Sequence, residues 1–264
     1  MELSDSQSSA IAPIGATARP ADAAIRAILF DKDGTLVDFQ RTWGPAVHAV
    51  MQRLAGGDRA VYARLAAASR FIEAEQRFLP ASPLIAQPTS VYGALWAAAL
   101  GREADASFFT EIDRLLCDAT TLHLAAIGDP KALLTALADR GYRLGLMTND
   151  AEITARTHVC KLGLDQVLAF VAGYDSGFGA KPEPGPVLAF ARAVGVAAAQ
   201  TAVVGDTLLD LAAARAAGAV AIGVLTGPTS SASLAPHADA LIASPAELPA
   251  WLDRYNEKRS RRLP

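Results

Sequence analysis

"ILFDKDGTLVDF", residues 28–39, decides how the rest of the chain is read. With Ala27 it makes an apolar run, "AILF", that stops abruptly on Asp31, and Asp33 follows two residues later, just before Gly34. A short, continuously apolar run of this kind suits a strand covered on both faces, as in a parallel sheet. In open parallel sheets, ligands bind at the carboxyl ends of the strands. Asp31 stands at such an end, so its charge has a place to act.

Outward from this stretch, short apolar runs alternate with helical spacing. Strands are expected at 142–147 ("YRLGLM"), 167–173 ("VLAFVAG"), 201–205 ("TAVVG"), 219–224 ("AVAIGV") and 238–243 ("ADALIA"). Helices are expected over 129–141, 150–163 with Asp150 as its capping residue, 186–194 and 208–217. This alternation predicts an α/β fold, an open doubly wound parallel sheet. It breaks between 39 and 125, an Ala-rich region with helical spacing throughout, including one continuous pattern over 58–79, and a Pro-containing loop at 80–88. The expected organisation is a disordered N-terminal tail (1–24), an α/β core in two pieces (25–38 and 126–256), an inserted α-helical domain (39–125) and a basic C-terminal tail (257–264).

The bulk properties set limits. The chain has 264 residues, 52% of them hydrophobic, enough for one large or two modest domains. The formal net charge of −3 gives no electrostatic footprint for nucleic acid or an anionic membrane surface. No stretch has the length and apolarity of a membrane span, and the polar, small-residue-rich start lacks the pattern of a secretory signal. Two cysteines, Cys117 and Cys160, do not form a disulfide framework and read as small apolar residues. The expectation is a cytoplasmic protein, monomer or homodimer, with neither a nucleic-acid nor a membrane partner.

Four chemistry-bearing motifs fall at four successive strand ends: Asp31 and Asp33; Thr148 and Asn149 of "TND"; Lys181 in "GAKPEP"; and Asp206 and Asp210 of "GDTLLDL". Each alone also fits a plain structural role. Thr148 and Asp150 suit helix caps, Lys181 a solvated loop, and Asp206 and Asp210 an acidic helix start. Their joint placement along one edge of one sheet is what points to a site. His48, His123, His158 and His237 are scattered and read as core or surface residues. Trp43, Phe71 and Phe78 read as core of the helical insertion.

"FDKDGTLVD", "TND", Lys181 and "GDTLLD", in this order and spacing, resemble the four motifs of the haloacid dehalogenase superfamily, and the helical insertion resembles the small cap of its phosphoglycolate phosphatase branch. The resemblance covers about 25–38 and 126–255. It implies a phosphatase that hydrolyses a small-molecule phosphate monoester, phosphoglycolate-like, through an aspartyl-phosphate. Asp31 would be the nucleophile and Asp33 the acid–base group. Four carboxylates against one lysine leave −3 at the site, which Mg²⁺ would offset, held by the Asp31 and Asp206 carboxylates and the backbone carbonyl of Asp33. Gly34, Thr148, Asn149 and Lys181 would bind phosphate, and Asp210 would support through water or by orienting Lys181 or Thr148. Phe39, Arg41, Arg70 and Arg77 are the candidates for contact with the leaving group. An aspartate at the Asp33 position favours phosphate esters over the dehalogenase and phosphonate-cleaving branches. A sugar phosphomutase on the same fold, and a catalytically idle binding module, remain as alternatives.

Overall fold

The structure, a computed structural model, describes residues 24–260. The expected N-terminal tail, apart from residue 24, lies outside them, as do residues 261–264. The expected basic tail is helical through Ser260, where it continues the last helix.

In chain order the elements are β1 (Ala27–Asp31), α1 (Phe39–Ala55), α2 (Arg59–Ala68), β2 (Phe71–Ile72), β3 (Arg77–Phe78), α3 (Thr89–Leu100), α4 (Ala106–Leu122), α5 (Pro130–Asp139), β4 (Arg143–Met147), α6 (Glu152–Lys161), β5 (Leu168–Ala172), α7 (Gly185–Ala193), β6 (Thr201–Gly205), α8 (Leu208–Ala216), β7 (Val220–Val224), α9 (Ser231–Leu234), β8 (Ala240–Ile242) and α10 (Leu248–Ser260). Six strands form one parallel sheet in the order β5-β4-β1-β6-β7-β8. The order reverses at β1, so the carboxyl end of β1 is the topological switch point, where open sheets of this kind open a crevice. Asp31 is the last residue of that strand.

Alternation along the strands divides the core into two layers. Ile28 and Phe30 face α5, α6 and α10 in one cluster, with Leu144, Leu146, Val204 and Ile222. Ala27 and Leu29 face α7 and α8 in the other, with Met147 and Val203. Both layers are apolar, which explains why β1, β6 and β7 read as continuous apolar runs.

α1 to α4 have a core of their own, built on Trp43, Val47, Trp96, Phe108 and Ile112. The chain enters and leaves this insertion as a paired crossing: Asp38 N–H donates to Ala125 O (2.8 Å), Ile127 N–H to Leu36 O (3.0 Å) and Ala125 N–H to Thr42 Oγ1 (3.0 Å). The helix expected over 58–79 stops at Ala68. Beyond it, Phe71 and Phe78 pair across β2 and β3, with Gln76 in a left-handed turn between them. Tertiary partners override the helical pattern here. Ser69 accepts the indole N–H of Trp96 (2.8 Å) and its carbonyl takes Ser82 Oγ (2.7 Å), while Gln40 closes the outer edge of β3 with both amide atoms on the backbone of Phe78.

Candidate active site

Four loops at the carboxyl ends of β1, β4, β5 and β6 bring the motif residues together. Asp31 is buried, and its Oδ1 accepts a 2.5 Å hydrogen bond from Lys181 Nζ. Lys181 also donates to Asp210 Oδ1 at 2.7 Å. Asp210 sits in the first turn of α8. Its other oxygen accepts from both the backbone and the hydroxyl of Thr207 (3.0 and 2.6 Å), in a reciprocal cap of the helix start. Asp210 thus contacts Lys181 directly.

Asp31, Asp206 and Asp210 each present a carboxylate oxygen within 4.8 Å of the others. Both Asp210 oxygens are engaged by Lys181 and Thr207, which leaves Asp31 and Asp206 as the carboxylates open to an ion. Burial pushes the Asp31 carboxyl up to about 7 against the attraction of Lys181, with Asp210 and Asp33 adding to the rise. Burial, together with Asp31 and Asp210, holds Asp206 well above the usual carboxylate range. Clustered buried carboxylates resist ionising together unless a cation joins them. Two glycines confirm that the cradle around Asp206 is cut to fit. A Cβ on Gly34, which has φ +82°, would lie 2.3 Å from Asp206 Oδ2, and one on Gly227 would lie 1.8 Å from it. The donors are oxygens only, so the set fits a hard divalent ion such as Mg²⁺. Gly227, in the loop after β7, carried no signal in the sequence beyond an ordinary "TGPT" turn.

Asp33 is not part of that cluster. Its Oδ1 accepts the indole N–H of Trp43 at 2.9 Å, and its Oδ2 lies 2.6 Å from Lys32 Nζ. Both Asp31 and Asp33 line one cavity at the strand ends, with Thr148, Asn149, Asp150, Lys181 and Thr207 from the core. The insertion closes its other side with Phe39, Trp43, Tyr92 and the loop residues Leu84, Ile85, Ala86 and Gln87. Asn149 ties the two together: its side-chain N–H₂ donates to Ala86 O (2.9 Å) and to Lys181 O (3.0 Å), and its Oδ1 accepts from Lys181 N–H (2.8 Å). The side chain of Asn149 is therefore committed to holding loops. Thr148 Oγ1 accepts from Asp150 N–H (3.1 Å).

Of the leaving-group candidates, Phe39 lines the cavity, while Arg41, Arg70 and Arg77 are exposed and do not. Arg77 pairs with Glu75 and borders a neighbouring cleft with Gly34 and Thr226. Trp43 is core of the insertion, as expected, but its indole N–H has the additional contact with Asp33. Asp150 is not the cap of α6, whose N-cap is Ala151. Its carboxylate is drawn inward to Lys32 Nζ, at 2.6 Å. Lys32, 1% exposed, is not among the residues that the sequence motifs single out.

Comparisons with known proteins identify the family. Residues 25–218 match the family model described as haloacid dehalogenase-like hydrolase. The chain is 34% identical over 201 residues to a phosphoglycolate phosphatase of Rhodospirillum rubrum, covering 73% of this chain and 76% of that protein. It is 30% identical over 239 residues to one of Xanthomonas campestris, covering 84% and 94%. Among solved structures it is similar to CbbY from Rhodobacter sphaeroides in complex with phosphate, with TM-score 0.63, 20% identity and coverage of 87% and 99%. A hydrolase from Pseudomonas syringae superposes with TM-score 0.60 at 19% identity, covering 86% and 98%. With the family model spanning the first strand, the insertion and the Asp206 motif, the chain belongs to the haloacid dehalogenase-like hydrolase family.

Proposed function

We propose that this hydrolase is a Mg²⁺-dependent phosphatase that cleaves a small phosphate monoester, of the phosphoglycolate class, through an aspartyl-phosphate on Asp31. The observation that carries the reading is the division of labour around one cavity. Asp31 is held by Lys181 beside the Asp206 carboxylate, and Asp33 is held apart from that cluster by Lys32 and Trp43. A nucleophile and a proton carrier need different surroundings, and these two aspartates have them.

In the first step a carboxylate oxygen of Asp31 attacks phosphorus, and the bond from phosphorus to the ester oxygen breaks. Asp33, protonated, gives its proton to that departing oxygen, which leaves as the alcohol. In the second step Asp33 takes a proton from water as the water oxygen attacks phosphorus. The phosphorus–Asp31 bond breaks, inorganic phosphate leaves, and both aspartates return to their starting forms. Lys181 and Thr148 bind the phosphoryl oxygens, on which charge is spread in the transition state. Asn149 offers its backbone N–H there while its side chain holds Lys181 in place. Asp31, Asp206 and the backbone carbonyl of Asp33 would hold the Mg²⁺. Bound there, Mg²⁺ neutralises the carboxylates and draws charge from the phosphoryl oxygens.

The insertion acts as a cap that keeps water off the phosphoryl group until the alcohol has left. Its inner face is aromatic and aliphatic apart from Gln87, and no arginine lines it among the described residues, so a short leaving group fits this reading. The names of the relatives at 30–34% identity support the same ester class. A panel of small phosphate esters, assayed for inorganic phosphate with Mg²⁺ and with chelator, tests the proposal. Mg²⁺-dependent release from a short alkyl phosphate is expected. Isomer interconversion without net phosphate release would point to a mutase instead, and no turnover with any ester would overturn the reading.

A further inference from the structure

Lys32 is buried among Asp33, Asp150 and His158, and the catalytic scheme uses only Asp33 of the three. Its ammonium makes two ion pairs, with Asp33 Oδ2 at 2.6 Å and Asp150 Oδ2 at 2.6 Å, and one hydrogen bond, to His158 Nδ1 at 3.2 Å. An ammonium only donates, so His158 must accept at Nδ1 and carry its proton on Nε2. Nε2 lies 3.0 Å from Thr120 Oγ1, and Thr120 in turn lies 2.6 Å from Leu116 O. The direction of every hydrogen bond in this chain is thereby fixed: Lys32 to His158, His158 to Thr120, Thr120 to the backbone of α4. Lys32, Thr120 and His158 are each no more than 1% exposed. A desolvated network of ion pairs and hydrogen bonds of this kind holds its members to one geometry.

Asp33 and Asp150 are the members of the network that line the substrate cavity, and of the two Asp33 has the proposed acid–base role, whereas Lys32, His158 on α6 and Thr120 on α4 do not line it. Burying a lysine, two carboxylates and a histidine is expensive unless each is paired, and the site's metal cluster has no need of them. From this geometry we infer that Lys32 and His158 are positioning residues for Asp33: His158 fixes the Lys32 ammonium, and Lys32 fixes the carboxylate that exchanges the proton with the leaving oxygen and with water. The inference rests on the acid–base role proposed for Asp33.

The consequence is selective. Departure of an alkoxide depends on a well-placed proton, and departure of an activated phenolate hardly does. The values of kcat/KM for p-nitrophenyl phosphate and for the best short alkyl phosphate of the panel are to be measured for the full-length wild type, Lys32→Met, His158→Leu and His158→Gln, each with its melting temperature. Lys32→Met should lose about 10²-fold on the alkyl ester, the size of a general acid–base contribution, and less than about tenfold on the aryl ester. His158→Leu should shift the alkyl-to-aryl ratio in the same direction by about tenfold, and His158→Gln, which keeps an acceptor for Lys32 and a donor for Thr120, should restore it. Rapid quench should show more phosphoryl-enzyme in Lys32→Met and His158→Leu than in the wild type, because water activation also depends on Asp33.

Equal losses on both esters would mean that these residues only hold the fold, and would overturn the inference. So would an unchanged ratio, or a His158→Gln variant as impaired as His158→Leu. If Lys32→Met does not fold, the two His158 variants decide. A wild type that hydrolyses neither ester would instead remove the phosphatase reading itself.

Discussion

Two buried lysines stand at the mouth of the sheet, and each joins two carboxylates. Lys181 reaches in from the loop after β5 to Asp31 and Asp210, and Lys32, between the two aspartates of the first motif, joins Asp33 to Asp150. Burial works against both ammonium groups, yet their carboxylate partners, Asp210 and Asp31 for one and Asp150 and Asp33 for the other, hold both above the usual lysine range. The surroundings differ. Lys181 borders the cavity and the oxygen-rich cluster suited to Mg²⁺, whereas Lys32 backs onto His158, which burial and the Lys32 charge push down to about 2 and so keep neutral. In the proposed reaction one clamp would serve the atom that attacks, the other the atom that carries a proton. Similar ion pairs thus acquire different chemistry from what lies behind them.

The comparison breaks most sharply at the carboxylates themselves. Asp31→Asn removes the attacking oxygen, so turnover should fall to background on alkyl and aryl esters alike, with no phosphoryl-enzyme by intact mass. Asp33→Asn should keep measurable activity on p-nitrophenyl phosphate, lose about 10²–10⁴-fold on alkyl phosphates, and accumulate one added phosphoryl group on Asp31. A phosphorylated Asp31→Asn protein, or two variants with the same residual aryl activity, would show that the two clamps do not divide the work.

Much of this was legible in the sequence, and the failures have physical causes. The strands could be read because a parallel sheet covered on both faces makes its strands uniformly apolar. Lys181, Asp206 and Asp210 drew attention because each falls in the segment that follows a strand, Lys181 in the loop after β5, Asp206 directly after β6 and Asp210 in the first turn of α8. Lys32 did not, because its neutralising partner Asp150 lies over a hundred residues away and its third acceptor, His158, is on a helix. Asp150 looked like a cap because Asp before a helical pattern commonly is one. The hairpin at Phe71–Phe78 was hidden in a helical pattern that Ser69, Trp96 and Gln40 override. Arg41, Arg70 and Arg77 carry charge that suits an anion, but they are exposed and do not line the cavity, and which residues line a cavity is not written in spacing.

A smaller effect separates the clamps by metal. The Asp31 carboxyl is ordinarily near 3.8 and is pushed up to about 7 in the folded, metal-free protein. Between those values the folded state keeps a proton that the unfolded chain has released, so the Asp31 contribution to stability falls as pH rises from about 4 to 7. Mg²⁺ needs the ionised form and displaces that proton, so its binding strengthens over the same range. At a concentration about 100 times its dissociation constant at pH 8, Mg²⁺ would add about 2.7 kcal/mol, or roughly 5–10 °C in Tm. At pH 5 the rise should be much smaller. Thermal melts with Mg²⁺ and with chelator at both pH values check this. The Asp150 carboxyl, also pushed up to about 7 by burial against the pull of Lys32, lies on the other clamp, so Asp150→Asn should leave the Mg²⁺-induced rise unchanged. Equal Mg²⁺ shifts at pH 5 and pH 8 would remove Asp31 from the metal site.

The finest distinction lies within the Asp33 clamp, where a second donor comes from the insertion. Trp43 stacks on Phe39 with ring centroids 5.8 Å apart and gives its indole N–H to Asp33 Oδ1. Lys32 Nζ lies 5.6 Å from the centre of the same ring. Trp43→Phe keeps an aromatic ring in the insertion's core and removes only the N–H donor and part of the contact with Lys32. Hydrogen bonds to charged groups contribute about 1.5–3 kcal/mol, but Lys32 still holds the other Asp33 oxygen, so the expected loss in kcat/KM on the alkyl ester is about tenfold, the lower end of that range. On p-nitrophenyl phosphate it should be under threefold, roughly, because little protonation is needed there. Trp43→Ala should lose more than the hydrogen bond, since emptying a buried aromatic site costs about 3–5 kcal/mol, and its lowered melting temperature would accompany losses on both esters. If Trp43→Phe matches the wild type on alkyl phosphates, the insertion contributes only walls to the cavity, and Asp33 is positioned from the core side alone.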